Sequence, residues 1–206
     1  MVIIPLNFKF KGNRNYIHGT DMYNLIIEQL IEKCFISFDS KFKISIHQFA
    51  RNQCDLIFSK ESDSSFFIPE NQIAEFEILH NEHKIIGYLT EVDRVIDCRI
   101  PFNEDIIENL STIDNFTITM KDDISGFGYS PIEITVLMAK KLHYNNYPLS
   151  EGKWIFVKLD LTRLFKNNDS DKIKINMIHN FKNQLTKSEI YVENFLIGYI
   201  YFSVKR

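Results

Sequence analysis

The sequence predicts an α+β chain built as two tandem repeats, each a long central helix followed by an antiparallel sheet. Three observations predict it. Segments of the two halves resemble each other in the same order and at a nearly constant offset. Each half holds one long apolar stretch with helical spacing. Each such stretch is followed by short alternating runs broken by turn residues.

The repeat shows in three places. D-M-Y-N-L-I-I-E-Q-L-I begins at Asp21, and E-I-T-V-L-M-A-K-K-L-H begins at Glu133, 112 positions on. K-F-K-I-S-I-H-Q-F-A-R, residues 41–51, aligns with K-W-I-F-V-K-L-D-L-T-R, residues 153–163, again at 112. Lys41 then meets Lys153, Phe42 meets Trp154, and Arg51 meets Arg163. Gly87 in I-I-G-Y-L and Gly198 in L-I-G-Y-I match at 111.

In each half the expected order is strand, helix, then several strands. F-K-F near Phe8 and F-T-I-T-M from Phe116 are the candidate opening strands. Helices are expected at about 19–34 and 131–143. Ser130-Pro131 suits a helix start, with Ser as cap and Pro in the first turn. Asp21 and Glu133 at one end, and Lys33, Lys140 and Lys141 at the other, complement the helix dipole. Both helices are apolar around much of their circumference, which predicts burial on most sides. Runs 41–49, 53–59, 72–80 and 83–92 read as a meander, as do 153–161, 172–181, 186–192 and 195–204. Asn81-Glu82 and Glu193-Asn194 fall at hairpin turns. The repeats are placed at 1–98 and 116–206. A segment at 99–115 connects them, with Asn103, Glu104 and Asp105 capping a short helix. The runs 59–65 and 166–172 read as solvated loops.

Composition narrows the function. The 206 residues are 45% hydrophobic and 14% aromatic, enough for a sizeable core. The net charge of −3 arises in residues 1–103, with 11 basic and 14 acidic side chains against 13 and 13 in residues 104–206, and neither half is basic enough to point to nucleic acid. No apolar run is long enough to span a membrane. The start, M-V-I-I-P-L-N-F-K-F, lacks the basic lead and apolar length of a secretory signal, so a cytoplasmic protein is expected. Cys34, Cys54 and Cys98 form no C-x-x-C, which predicts buried free thiols rather than disulfides or a zinc site. His47, His80, His83, His143 and His179 lack ligand spacing, so no metal is expected. No G-x-S-x-G elbow marks a serine hydrolase.

One helix wrapped by an antiparallel meander, made twice, resembles a double hotdog fold of the thioesterase and dehydratase superfamily over about residues 5–204. Tyr16-Ile17-His18-Gly19-Thr20 is similar to the His-Gly-Gly that opens the central helix in some hotdog thioesterases, with Thr20 in place of the second glycine. The dehydratase pattern His-Phe-Pro-Gly-x-Pro and the Gly-His-x-Asn-Asn loop are absent. The resemblance implies an intramolecular pseudo-dimer with an acyl-thioester site between the two helices. Its substrates would be acyl-CoA or an acyl carrier protein. Coenzyme A or phosphopantetheine would enter as part of the substrate, with no separate cofactor, and a homo-oligomer is compatible with the fold. A thioesterase is the first expectation and a 3-hydroxyacyl dehydratase the second. The opposing expectation is a non-catalytic acyl-binding or assembly module, because the loops at the two helix starts differ.

The candidate residues follow from thioester chemistry, which needs a polarised carbonyl. Unpaired N–H groups at a helix start supply that polarisation. Gly19 permits close backbone approach, with Thr20 beside it. His18 either orients the carbonyl, acts as general base, or is a hydrogen-bonded structural side chain. Glu133 and Asp21 either activate water or remove a proton, or simply favour the dipole. Gly128 and Tyr129, after Gly126-Phe127, form the second loop or a plain turn. Tyr16, Tyr23 and Tyr129 either donate to a carbonyl or pack as aromatic core. Arg51 and Arg163 either grip phosphates or pair with acids, the ion pair being favoured.

Overall fold

The computed structural model describes residues 1–60, 69–121 and 124–206. The chain forms two compact units, Met1–Asn103 and Glu104–Arg206. Among the described residues, no helix is long and apolar enough to cross a membrane.

The first unit holds strands β1 (Val2–Pro5) and β2 (Phe10–Lys11), helix α1 (Gly19–Glu32), and strands β3 (Lys41–Ile46), β4 (Asn52–Lys60), β5 (Gln72–His80), β6 (His83–Val95) and β7 (Arg99–Ile100). Five of these strands pair antiparallel in the order β1-β4-β6-β5-β3. β2 and β7 form a small parallel pair of their own. Helix α1 is one-sided: Thr20, Met22, Tyr23, Ile26, Ile27 and Leu30 are buried, while Glu28 and Glu32 are not. Tyr23 meets Phe42 of β3 edge to face at 5.2 Å, and Phe42 in turn stacks on Phe76 of β5.

The second unit holds helix α2 (Ile107–Leu110), strands β8 (Ser111–Asp114) and β9 (Thr117–Met120), helix α3 (Pro131–Asn146), and strands β10 (Lys153–Leu161), β11 (Ile173–Phe181), β12 (Leu185–Val192) and β13 (Phe195–Lys205). Its antiparallel strands run in the order β10-β13-β12-β11-β9-β8. Helix α3 is buried at every residue from Pro131 to Ala139, so burial on most sides holds for α3 and not for α1.

Both expected hairpins close on two residues, each in the left-handed region: Asn81 and Glu82 at φ 48° and 66°, Glu193 and Asn194 at φ 52° and 71°. That geometry matches the twist of antiparallel strands.

Several expectations are corrected. The opening strand of the first unit is β1 and not F-K-F. Phe8 lies outside any strand because the buried Gln53 side chain takes over its ladder bonds. Gln53 Oε1 accepts the Phe8 N–H at 2.6 Å, and its amide donates to the Phe8 carbonyl at 3.0 Å. In the second unit only β11, β12 and β13 form a meander; β10 pairs with β13 instead of β11. In the first, β6 lies between β4 and β5, and β3 pairs with β5. A short helix does form after Asn103, but its cap position is Ile106. Ser59 and Lys60 belong to β4, and residues 61–65 of the expected loop lie outside the described residues. Residues 167–172 form a 3-10 turn that buries Asp169 and Ser170 instead of a solvated loop. Of the three thiols only Cys54 is buried, its pKa pushed up to about 12 chiefly by burial; Cys34 and Cys98 are exposed.

Candidate functional site

The start of α1 is held from both sides. The Ile17 N–H donates to the Ala50 carbonyl at 2.8 Å, which ties the loop to the segment before β4. His18 occupies the cap position with extended φ −75° and ψ 139°, and its carbonyl accepts the N–H groups of Asp21 and Met22. Helix geometry leaves the N–H groups of Gly19 and Thr20 with no intrahelical acceptor. They point out of the positive end of the helix dipole, where developing negative charge is stabilised.

The side chains around this turn are packed. His18 is 9% exposed, and its Nδ1 lies 2.6 Å from the Thr20 hydroxyl, which is fully buried. Asp21 pairs with the buried Lys11, whose ammonium also sits 5.1 Å from the centre of the Phe102 ring. Tyr16, half-buried, stacks on Phe49 with ring centres 4.2 Å apart. Tyr23 likewise is core, 3% exposed.

The start of α3 is different. Glu133 Oε2 accepts both the N–H of Ser130, at 2.7 Å, and its hydroxyl, at 2.8 Å. A carboxylate three residues into the helix thereby satisfies the cap residue, an arrangement that stabilises a helix by about 1 kcal/mol. Glu133 is 7% exposed. Ahead of it, residues Ser125–Phe127 make a 3-10 turn closed by Gly128 in the left-handed region, φ 73°, followed by the half-buried Tyr129.

The two arginines have separate surroundings. Arg163 donates to both carboxylate oxygens of Asp169, at 2.7 and 3.3 Å, and to the Leu164 carbonyl at 2.9 Å. Asp169 also accepts the Lys166 N–H, so the pair folds the 167–172 turn onto the end of β10. Arg51 is exposed, and its backbone N–H and that of Asn52 both donate to Glu91 at 2.6 Å.

Within the first unit the structure therefore groups His18, Gly19, Thr20 and Asp21 at one helix start, with Tyr16 beside them. Within the second it groups Gly128, Tyr129 and Glu133. Arg51 and Arg163 belong to neither group. Lys11, Phe102 and Asp169 are partners that the sequence did not expose, because each meets its target through tertiary structure. A cleft of about 410 Å³ in the first unit is lined by Gln48, Asn52, Asn71 and Glu91, and one of about 370 Å³ in the second by Glu104, Glu108, Lys140 and Lys141. Neither contains His18 or Glu133. Among the described residues, no group of three or more His, Cys, Asp or Glu is arranged to hold a metal ion.

No family model matches the chain, and no curated protein does. Solved structures do match. The dehydratase domain of PpsC from Mycobacterium tuberculosis, in complex with C12:1-CoA, aligns over 98% of this chain and 92% of its own, with a TM-score of 0.50 and 6% identity. The 12:0-ACP thioesterase from Umbellularia californica aligns over 99% and 93%, at a TM-score of 0.45 and 6% identity. The dehydratase domain of MlnD from Bacillus amyloliquefaciens aligns over 98% and 91%, at 0.44 and 9%. The chain shares the hotdog fold of the PpsC dehydratase domain.

Proposed function

We propose that the chain acts on acyl thioesters, with the turn from Tyr16 to Asp21 meeting the thioester carbonyl. The observation that carries this reading is the start of α1, where a buried imidazole adjoins N–H groups that the helix itself cannot satisfy. Hydrolysis is the first assignment and 3-hydroxyacyl dehydration the second. The acyl group would arrive on coenzyme A or on the phosphopantetheine of a carrier protein.

We also read the chain as two tandem hotdog repeats. The helices start at Gly19 and Pro131, the next strands at Lys41 and Lys153, and the strands after the 81–82 and 193–194 turns at His83 and Phe195, each pair 112 residues apart. The repetition supports the reading in element order; the sheet orders differ.

The second unit supports a plainer role. The Glu133 carboxylate is engaged in the cap and the Arg163 guanidinium in an ion pair. Those engagements favour a binding or structural role for that half, with chemistry concentrated at α1.

The full chain, offered a panel of acyl-CoA, acyl-carrier and 3-hydroxyacyl substrates, is expected to turn over at least one. His18→Ala should lower that rate about 10²-fold or more while leaving the circular dichroism spectrum intact. Glu133→Gln separates chemistry from capping: an equal loss would give the carboxylate a chemical role, and an unchanged rate would leave it a cap. Absence of turnover across the panel would sink the reading.

A further inference from the structure

We infer that the face of the second unit's sheet turned away from α3 docks on an anionic lipid surface, with lysines against the headgroups and apolar side chains at both ends of β12 entering the interface. The inference stands apart from the thioester reading and does not need it.

Successive residues of a strand point to opposite faces. His143 of α3 meets Trp154, Phe202 and Thr186, so those residues mark the face that the helix covers. The alternate residues form the other face. Across it Lys158 of β10, Tyr201 of β13, Lys187 of β12 and His179 of β11 are register partners in one line. Toward one end Lys174 lies opposite Tyr191, and at the other Lys153 lies opposite Lys205. Lysines lie over the tyrosine rings. Lys187 Nζ is 3.8 Å from the centre of Tyr199, Lys158 Nζ 5.4 Å from Tyr201, and Lys174 Nζ 4.8 Å from Tyr191. Two carboxylates share the face, Asp160 and Glu189, both register partners of Tyr199. Glu189 accepts the Tyr191 hydroxyl at 2.9 Å and the Asn176 amide at 3.1 Å. Five lysines against two carboxylates leave the face positive. The sequence hides this charge, because β10 supplies two of the five lysines and the other three strands one each.

The ends of β12 supply the apolar part. Phe181 and Leu185, register partners at one turn, are 54% and 38% exposed. Phe195 and Leu196, just past the 193–194 turn, are 74% and 41% exposed. Large exposed apolar side chains mark a contact surface. Set beside lysines, they suit an anionic bilayer, where each lysine near the surface strengthens binding about fivefold. A single-stranded nucleic acid would use the same lysines, but its bases need bare ring faces for stacking. Here ammonium groups cover the rings, and the apolar ends would stay in water.

The test sediments the full chain with vesicles of phosphatidylcholine alone, and of phosphatidylcholine with about one-third phosphatidylserine. Binding is expected to the anionic vesicles, and to weaken as salt is raised. Lys158→Gln, Lys174→Gln and Lys187→Gln together should weaken it about a hundredfold. Phe181→Ser with Phe195→Ser should weaken it about tenfold. Both variants should keep the circular dichroism spectrum of the natural chain. Lys9→Gln, Lys33→Gln and Lys41→Gln together, exposed lysines of the first unit, should leave binding unchanged. No binding to anionic vesicles, equal binding to neutral ones, or an equal loss in the first-unit triple would each overturn the inference. If a single-stranded oligonucleotide binds instead, and is lost in the second-unit triple, the face belongs to nucleic acid and the inference fails.

Discussion

At position 143 the last turn of α3 carries an imidazole out of reach of water. Its Nδ1 lies 2.5 Å from the Ala139 carbonyl and its Nε2 2.5 Å from the Thr186 hydroxyl. The rings of Trp154 and Phe202 lie 4.7 and 4.8 Å away. Burial pushes its pKa down from 6.5 to about 4, against a smaller upward pull from the Ala139 carbonyl. The unfolded chain binds a proton below pH 6.5 that the folded chain refuses until about pH 4. Stability from this residue is therefore complete above 6.5 and drains away as pH falls toward 4. At about 1.4 kcal/mol per pH unit, the loss totals about 3 kcal/mol. Comparing urea midpoints from pH 7 to pH 4, His143→Gln should lose less stability over this window than the natural chain. Equal slopes would mean the ring is not held neutral. A glance at the sequence shows only a histidine without metal spacing. Its tie to Thr186, 43 residues on, depends on how β12 pairs.

At the scale of elements, two strands depend on the absence of a side chain. A Cβ at Gly198 in β13 would stand 2.2 Å from the Asp160 carbonyl oxygen in β10, a backbone atom that cannot swing aside. A Cβ at Gly87 in β6 would stand 2.1 Å from the Phe76 ring and 2.8 Å from the Ile57 carbonyl oxygen. Gly198→Ala and Gly87→Ala are each expected to cost about 1–3 kcal/mol, read as a lowered thermal midpoint. Unchanged midpoints would show that the strands yield. The same scale explains what could be read in advance. α1, α3 and the hairpins at 81–82 and 193–194 were legible because helical spacing and turn residues act locally. β2, β7 and β8 were not, since two to four residues carry no period. The 167–172 turn escaped because Arg163 buries Asp169 by charge, against the polarity of its own sequence.

For the whole molecule, each unit's sheet ends on a strand of four residues, β1 in one and β8 in the other. Short edges limit pairing with other chains. β1 needs more protection, because Val2 and Ile3 are exposed and sit in an apolar run interrupted only by Pro5. Pro5→Val would restore a backbone donor and leave six consecutive apolar residues, 1–6, along this edge strand. The variant should scatter light sooner on warming than the natural chain; identical onset would mean the edge is guarded by something else. Fold class was open to reading at this scale, while sheet order was not. A tight turn fixes its two neighbours, but a long connection such as 61–71 leaves the landing place to packing. The candidate site was half legible: the turn at His18 stood out, but the engagement of Glu133 and Arg163 needed coordinates.

Trp154 has a further consequence. It is the sole tryptophan of the chain, 1% exposed, with its indole N–H donating to the Tyr147 carbonyl at 3.1 Å. Intrinsic emission excited in the far red edge of protein absorbance will thus come from one dry corner beside His143. It will register what happens around that corner of the second unit.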